Sequence, residues 1–474
     1  MLVTATAALL ALAWPAWPVT AQPVGRPPGV PPPVNSAQLP TPAEANALPY
    51  IVNNAVTQQI GPVEQTTACV QRSPDSAVDS TVDSTVDPEA EPANQSRLRI
   101  RRAHRFATGG GQVVAVIDSG VHPHPGLADR LIDGGDYIEN RSGLVDCDGH
   151  GTAVAGLIAA APHPATRFVG VAPSATILSI RQGSAFYSVP LRVLSTGEEL
   201  RNTIAGDTVS MARAVVRAVA LGATVINISE AACFAAEPDQ VNAPDLQAAV
   251  HHAVQRDVVV VVAAANVGDR CQQNPPGTVT TISSPGWFDD DVLTVAATDE
   301  NGDAAPFSMR GPWVDVAAPG TGAVSLDVAG SGLTTTLVDA SGGSSTINGT
   351  SFATPYVAGL AALVRERFPD LTARQVMHRI EQTAQRAGPG GRSEELGYGM
   401  IDPVAALTAV LPEERGSSPE PASPGKLEDF TLPPPDDPLA RTVALVGAAL
   451  AIGLLGLTLL VVHTIKWHRR HRVE

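Results

Sequence analysis

A carboxylate, an imidazole and a hydroxyl stand in three short segments far apart in the chain: Val114-Ala115-Val116-Ile117-Asp118-Ser119-Gly120, Asp148-Gly149-His150-Gly151-Thr152 and Asn348-Gly349-Thr350-Ser351-Phe352-Ala353-Thr354-Pro355. A serine hydroxyl attacks a carbonyl usefully only when an imidazole removes its proton and a carboxylate fixes the imidazole's tautomer. Each segment alone is ordinary: an Asp at a strand end, a His at a helix start. Together they suggest acyl transfer, with Ser351 as nucleophile, His150 as base and Asp118 as its orienting group. That chemistry needs neither metal nor organic cofactor, and none is expected.

The elements around these residues must position them. Asp118 closes a β-branched run, and in open α/β sheets functional groups collect at the carboxyl ends of strands. His150 opens the apolar stretch Thr152–Ile158, and Gly149 and Gly151 leave room for its ring. Ser351 begins another helical pattern. Pro355 is tolerable only near a helix start, which puts Ser351 in the first turn, where its amide and the helix dipole favour a developing oxyanion. A second donor is needed, and Asn266 supplies an amide at the end of Val258–Ala265.

Val113–Ile117, Thr176–Ile180, Thr224–Ile228, Val258–Ala263 and Val292–Ala296 are continuous apolar runs of the kind buried on both faces of a parallel sheet. Helical patterns lie between them, such as Thr208–Leu221 behind the N-cap candidate Asp207, and Leu246–Gln255 behind another Asp. The alternation predicts an α/β fold: a parallel sheet with helices on both faces. Residues 182–206 interrupt it with polar, glycine-containing sequence and are expected to be a surface insertion. Residues 22–49 are proline-rich, and 76–87 read Ser-Ala-Val-Asp, Ser-Thr-Val-Asp, Ser-Thr-Val-Asp, a four-residue acidic repeat too polar to pack.

The chain has 474 residues and a net charge of −16, which argues against nucleic acid as a partner. The last twelve residues carry +3 against this trend. Just before them, 442–462 is an uncharged stretch of apolar and small residues, long enough to cross a bilayer as a helix. Lys466, Arg469, Arg470 and Arg472 follow it, so the C-terminus is expected in the cytoplasm and the body outside. Residues 1–21 read as an export signal, although no basic residue precedes Arg26. Cys69, Cys147, Cys233 and Cys271 are an even number in an exported chain, which suggests two disulfides with three possible pairings. A metal site built from Cys147, His150, His122 and His124 is the weaker reading, because no C-x-x-C pair exists and His150 has another use.

In the order Asp, His, Ser, these segments resemble the subtilisin-like serine proteases, the S8 or subtilase family, over roughly 97–411. The resemblance implies a subtilisin-like fold with Asp118, His150 and Ser351 catalytic, Asn266 in the oxyanion hole, and protein substrates. The whole arrangement resembles one branch, the mycosins, which are membrane-anchored proteases of type VII secretion systems. It comprises a signal (1–21), an extension (22–96), a peptidase body (97–411), a Pro-rich linker (412–441), a membrane helix (442–462) and a basic cytoplasmic tail (463–474). That likeness implies an extracytoplasmic endopeptidase anchored in the cell membrane by one span and associated with the secretion membrane complex. The alternative is a structural component of that complex with proteolysis secondary; a surface-maintenance protease unconnected with secretion is a third reading. It also implies an extension that wraps the body, pinned by Cys69–Cys147, with Cys233–Cys271 tying two loops beside the cleft. Two departures stand out: Ser229-Glu230-Ala231-Ala232 where Ser-Leu-Gly-Gly is common, and Ala265 where glycine usually precedes the oxyanion asparagine. Glu230 either favours basic side chains or is a solvent-facing loop charge.

Overall fold

Seven short strands rich in valine, isoleucine and alanine form the central sheet of the computed structural model, which describes residues 29–53, 56–70, 90–237, 242–268, 271–386 and 391–415. They are β1 (Val113–Asp118), β2 (Leu131–Asp136), β3 (Thr176–Arg181), β4 (Val225–Ile228), β5 (Val259–Ala263), β6 (Leu293–Thr298) and β7 (Val316–Pro319). Their order is β7-β6-β5-β4-β1-β3-β2, and every neighbouring pair is parallel. β4 and β5 are buried throughout, so both faces must be covered.

The covering helices are α1 (His150–Ala159), α2 (Thr208–Ala220), α3 (Pro244–Gln255), α4 (Thr350–Arg367) and α5 (Ala373–Thr383). α1 packs on α4, and α2 packs on α3. The predicted helices are present. Asp207 caps α2 reciprocally with Ser210, whereas α3 starts earlier than expected, at Pro244, and Asp245 lies inside its first turn.

Two strands were not anticipated. β2 carries two Asp and two Gly, yet Asp133 and Asp136 accept hydrogen bonds from the loop amides of 138–143 and hold it at the edge. β7 reads Val-Ala-Ala-Pro, too short and alanine-rich to announce itself.

The insertion at 182–206 is a β-hairpin, Ser184–Val193 against Glu199–Ala205, with Phe186, Tyr187, Val189 and Leu191 buried. Two extension segments, Thr57–Gln59 and Glu64–Gln65, add to its long strand in antiparallel register. Elsewhere the extension lies on the helices: the Tyr50 hydroxyl donates to Asp207, and Gln247 donates to the Pro32 carbonyl at 2.6 Å. The described extension therefore wraps the body and contributes no lining residue to the cleft.

Leu98 and Ile100 are buried, and the packed chain continues past 411, where Glu414 pairs with the buried Arg379. Among the described residues no helix is long and apolar enough to cross a membrane. The expected signal, acidic repeat, membrane helix and basic tail, and the linker beyond residue 415, lie outside the described residues.

Candidate active site

β1 and β4, adjacent strands of the sheet, lead into Ser119 and Ser229, which line a cleft of about 790 Å³. His150, Asn266 and Ser351 line the same cleft. Asp118 is fully buried, and its Oδ1 accepts from the Ser119 amide and from His150 Nδ1, each at 2.7 Å. That bond fixes the imidazole tautomer and turns Nε2 away from the carboxylate. Burial opposes the charged imidazolium. Asp118 outweighs it, with Glu230 and Asp146 adding to the effect, and the His150 pKa is pushed up to about 9.

The glycines flanking His150 serve the backbone rather than leaving room for the ring. A side chain on Gly151 would meet the Gly120 carbonyl at 2.0 Å, and Gly149 caps α1 at a φ of 78°.

Ser351 stands in the first turn of α4 as expected, but Pro355 lies deeper, in the second turn. A proline cannot donate to the carbonyl four residues earlier, which here belongs to Ser351 itself. The Ser229 hydroxyl takes that role, donating to the Ser351 carbonyl at 2.8 Å. No hydrogen bond joins the Ser351 hydroxyl to His150 among the described residues; such contacts often close only around substrate.

Asn266 Oδ1 accepts from the Thr350 amide at 3.0 Å and the Thr350 hydroxyl at 3.1 Å, so its NH₂ faces the other way. It faces a gap. A Cβ built on Gly349 would lie 3.3 Å from Asn266 Nδ2 and 3.6 Å from the Ser351 amide nitrogen. Two donors thus flank a space left open by a glycine, an arrangement able to hold an oxyanion. Ala265, at the position noted in the sequence, adopts φ 83°, a conformation glycine enters more freely.

Both disulfides pair as the resemblance implied, Cys69 with Cys147 and Cys233 with Cys271. Cys147 is therefore unavailable as a metal ligand. Both ring nitrogens of His124 are engaged, with the Gly126 amide and the Gly332 carbonyl.

A family model described as "Subtilase family" matches residues 109–399. The chain belongs to the subtilase family. Mycosin-1 of Mycobacterium tuberculosis is 40% identical over 436 residues, covering 88% of this subtilase and 93% of that protein. Mycosin-1 of Mycolicibacterium smegmatis is 42% identical over 375 residues, covering 75% and 81% respectively. The crystal structure of MycP1 from Mycobacterium smegmatis aligns with TM-score 0.68 and 37% identity, covering 82% of this chain and 97% of that one. A structure of an intact ESX-5 inner membrane complex contains a chain that aligns with TM-score 0.68 and 35% identity, covering 90% and 98%. The subtilase is accordingly of mycosin type, a subtilisin-like serine protease.

Residues that the sequence reading passed over hold this subtilase's site together. Asp146, buried, accepts from the Ser119 hydroxyl and the Gly149 amide on one oxygen, and from the Thr152 amide and hydroxyl on the other. Ser119 Oγ in turn accepts from the Gly151 amide at 2.9 Å, so β1's end and α1's start form one unit. The spacing of Asp146, four residues before His150, was the available signal. Glu230 lies in the cleft rather than on a solvent-facing loop. Burial, then the negative charges of Asp118 and Asp148, push its carboxyl pKa up, against the opposing influence of His150.

Proposed function

We propose that this subtilase is a membrane-anchored, extracytoplasmic serine endopeptidase acting with a type VII secretion system. His150 deprotonates the Ser351 hydroxyl, which attacks a peptide carbonyl of a protein substrate. Asp118 holds the imidazole's tautomer and stabilises it once protonated. Asn266 Nδ2 and the Ser351 amide receive the oxyanion, and water then releases the acyl group. The observation that carries this reading is the pair of donors flanking the Gly349 gap, in the same cleft as the Asp118–His150 hydrogen bond.

The secretion context is supported by mycosin relatives and by the likeness to a chain of an ESX-5 inner membrane complex. The same likeness favours a second reading, in which the protein chiefly stabilises such a complex and cleavage is secondary. Membrane anchoring through 442–462 and export through 1–21 belong to the proposal on sequence grounds.

Secretion from cells carrying Ser351→Ala in place of the wild-type gene separates the two readings. Export that stops while the variant remains stably in the membrane means that secretion needs the hydrolytic serine. Normal export with an uncut secreted protein makes the structural role dominant. Wild-type enzyme that a fluorophosphonate fails to label at Ser351 would remove the hydrolytic reading altogether.

A further inference from the structure

Three carboxylates, Asp148, Glu230 and Asp339, line the cleft, and no lysine or arginine is among its described lining residues. Two of the three are already committed. Asp148 accepts from the Ser184 hydroxyl and, at 2.7 Å, from the Ala185 amide. Asp339 accepts from the amides of Ser341 and Gly343 within its own turn. Glu230 differs: among the described residues no group donates a hydrogen bond to its carboxylate, and no lysine or arginine pairs with it; the opposing charge that acts on it is that of His150.

Its position is nonetheless defined. Ser229, the preceding residue, is pinned beneath the nucleophile through the Ser351 carbonyl. The Glu230 carboxylate lies over Gly183, where a Cβ would come within 2.7 Å of Oε2 and 3.1 Å of Oε1. Gly183 follows β3, and its amide reaches the Asp118 carbonyl at 3.4 Å. Glu230 therefore stands between the carboxyl ends of β3 and β4, on the wall of the cleft that also holds His150. A half-buried carboxylate that accepts no hydrogen bond is costly to keep charged, and its complement is a cation on a flexible stem.

We infer that Glu230 selects a lysine or arginine side chain of the substrate close to the scissile bond. This rests on Ser351 being the nucleophile, and it names the class of sequence the cleft accepts. The glycine at 183 fits the role, because any larger residue there would displace the carboxylate.

The full chain is assayed on quenched fluorescent peptides that differ only in lysine against norleucine, one position at a time around the scissile bond. At one position the wild-type kcat/KM for lysine exceeds that for norleucine by about tenfold. In Glu230→Gln the ratio falls to within about twofold, and in Glu230→Lys it inverts. A general loss of fold lowers both peptides together and leaves the ratio unchanged. A wild-type ratio near unity at every position, or a ratio that survives in Glu230→Gln, overturns the inference. Fluorophosphonate labelling, lost in Ser351→Ala, tests the nucleophile separately. Labelled enzyme with no lysine preference sinks the Glu230 inference alone, whereas absent labelling removes the nucleophile and the inference with it.

Discussion

An alanine at Gly349 would place a methyl group between Asn266 Nδ2 and the Ser351 amide, in the space where the oxyanion of the proposed mechanism forms. Gly349→Ala is therefore expected to lower kcat at least as far as Asn266→Ala, which removes one donor and leaves the space open. Loss of such a donor costs about a hundred- to a thousandfold in kcat, a figure carried over from a subtilisin rather than worked out for this chain. Thermal melts of both variants check that the fold survives. Equal kcat in Gly349→Ala and wild type would show that the gap is not the oxyanion site. A second expectation concerns protons. His150 must be neutral to act as base, and its raised pKa means that the neutral form gains ground only as pH climbs from 6.5 toward about 9. The acidic limb of kcat/KM should fall in that range. Glu230→Gln removes one of the charges that raise it and should shift the limb toward lower pH. The stability contribution of the Asp118–His150 pair follows the sign of a raised histidine: present in full below about 6.5, and lost as pH rises through about 9. A limb centred below 6.5 would contradict the electrostatic account.

The first turn of the helix that carries Ser351 is completed by a residue at the end of another strand. Pro355 leaves the Ser351 carbonyl without its helical donor, and Ser229, at the end of β4, donates instead. Ser229→Ala should cost about 1–2 kcal/mol in denaturant melts, because a partly buried carbonyl loses its donor. It should also lower kcat on a substrate that wild type cleaves, because Ser351 is no longer held from below. A variant as stable and as fast as wild type would make this contact incidental. At this scale the sequence was legible where physics is local. Five β-branched runs became strands, and Asp207 capped α2. His150, Asn266 and Ser351 reached one cleft, with the buried Asp118 bonded to His150. It was opaque where partners are distant. β2 is held by loop amides bonding to Asp133 and Asp136, and nothing in Leu131–Asp136 announces those donors. The extension strands Thr57–Gln59 and Glu64–Gln65 carry no apolar period, because backbone pairing with the hairpin edge, not burial, makes them strands. The Ser229–Ser351 contact spans 122 residues of sequence and was beyond any local pattern.

Across the whole molecule, the N-terminal extension is tied to the loop before α1 and to the walls of the cleft by bonds of two kinds, and they can be separated. Cys69 is bonded to Cys147, three residues before His150. The Val70 amide donates to the Cys147 carbonyl at 3.0 Å, Thr66 pairs with the Phe186 carbonyl, and the Thr67 hydroxyl reaches the Ala340 carbonyl at 2.8 Å. Phe186 and Ala340 both line the cleft, so the extension braces two of its walls without entering it. Closing a loop between cysteines 78 apart restricts the unfolded chain by at most about 4–5 kcal/mol on the loop-entropy account. Cys69→Ala with Cys147→Ala should therefore lower the melting temperature markedly. The extension should still remain in place, because Tyr50, Gln247 and the hairpin pairing hold it independently. An engineered protease site within 76–87 tests this directly. After the cut, the wild-type fragment should stay covalently attached until a reductant is added. The cut double-Ala protein should keep the fragment through gel filtration and lose it only in denaturant. Kinetics complete the argument: if the bracing of Phe186 and Ala340 shapes the cleft, removing the fragment in denaturant and refolding the body should raise KM more than it lowers kcat. Unchanged KM after its removal would reduce the extension to a stabilising wrap with no part in holding substrate.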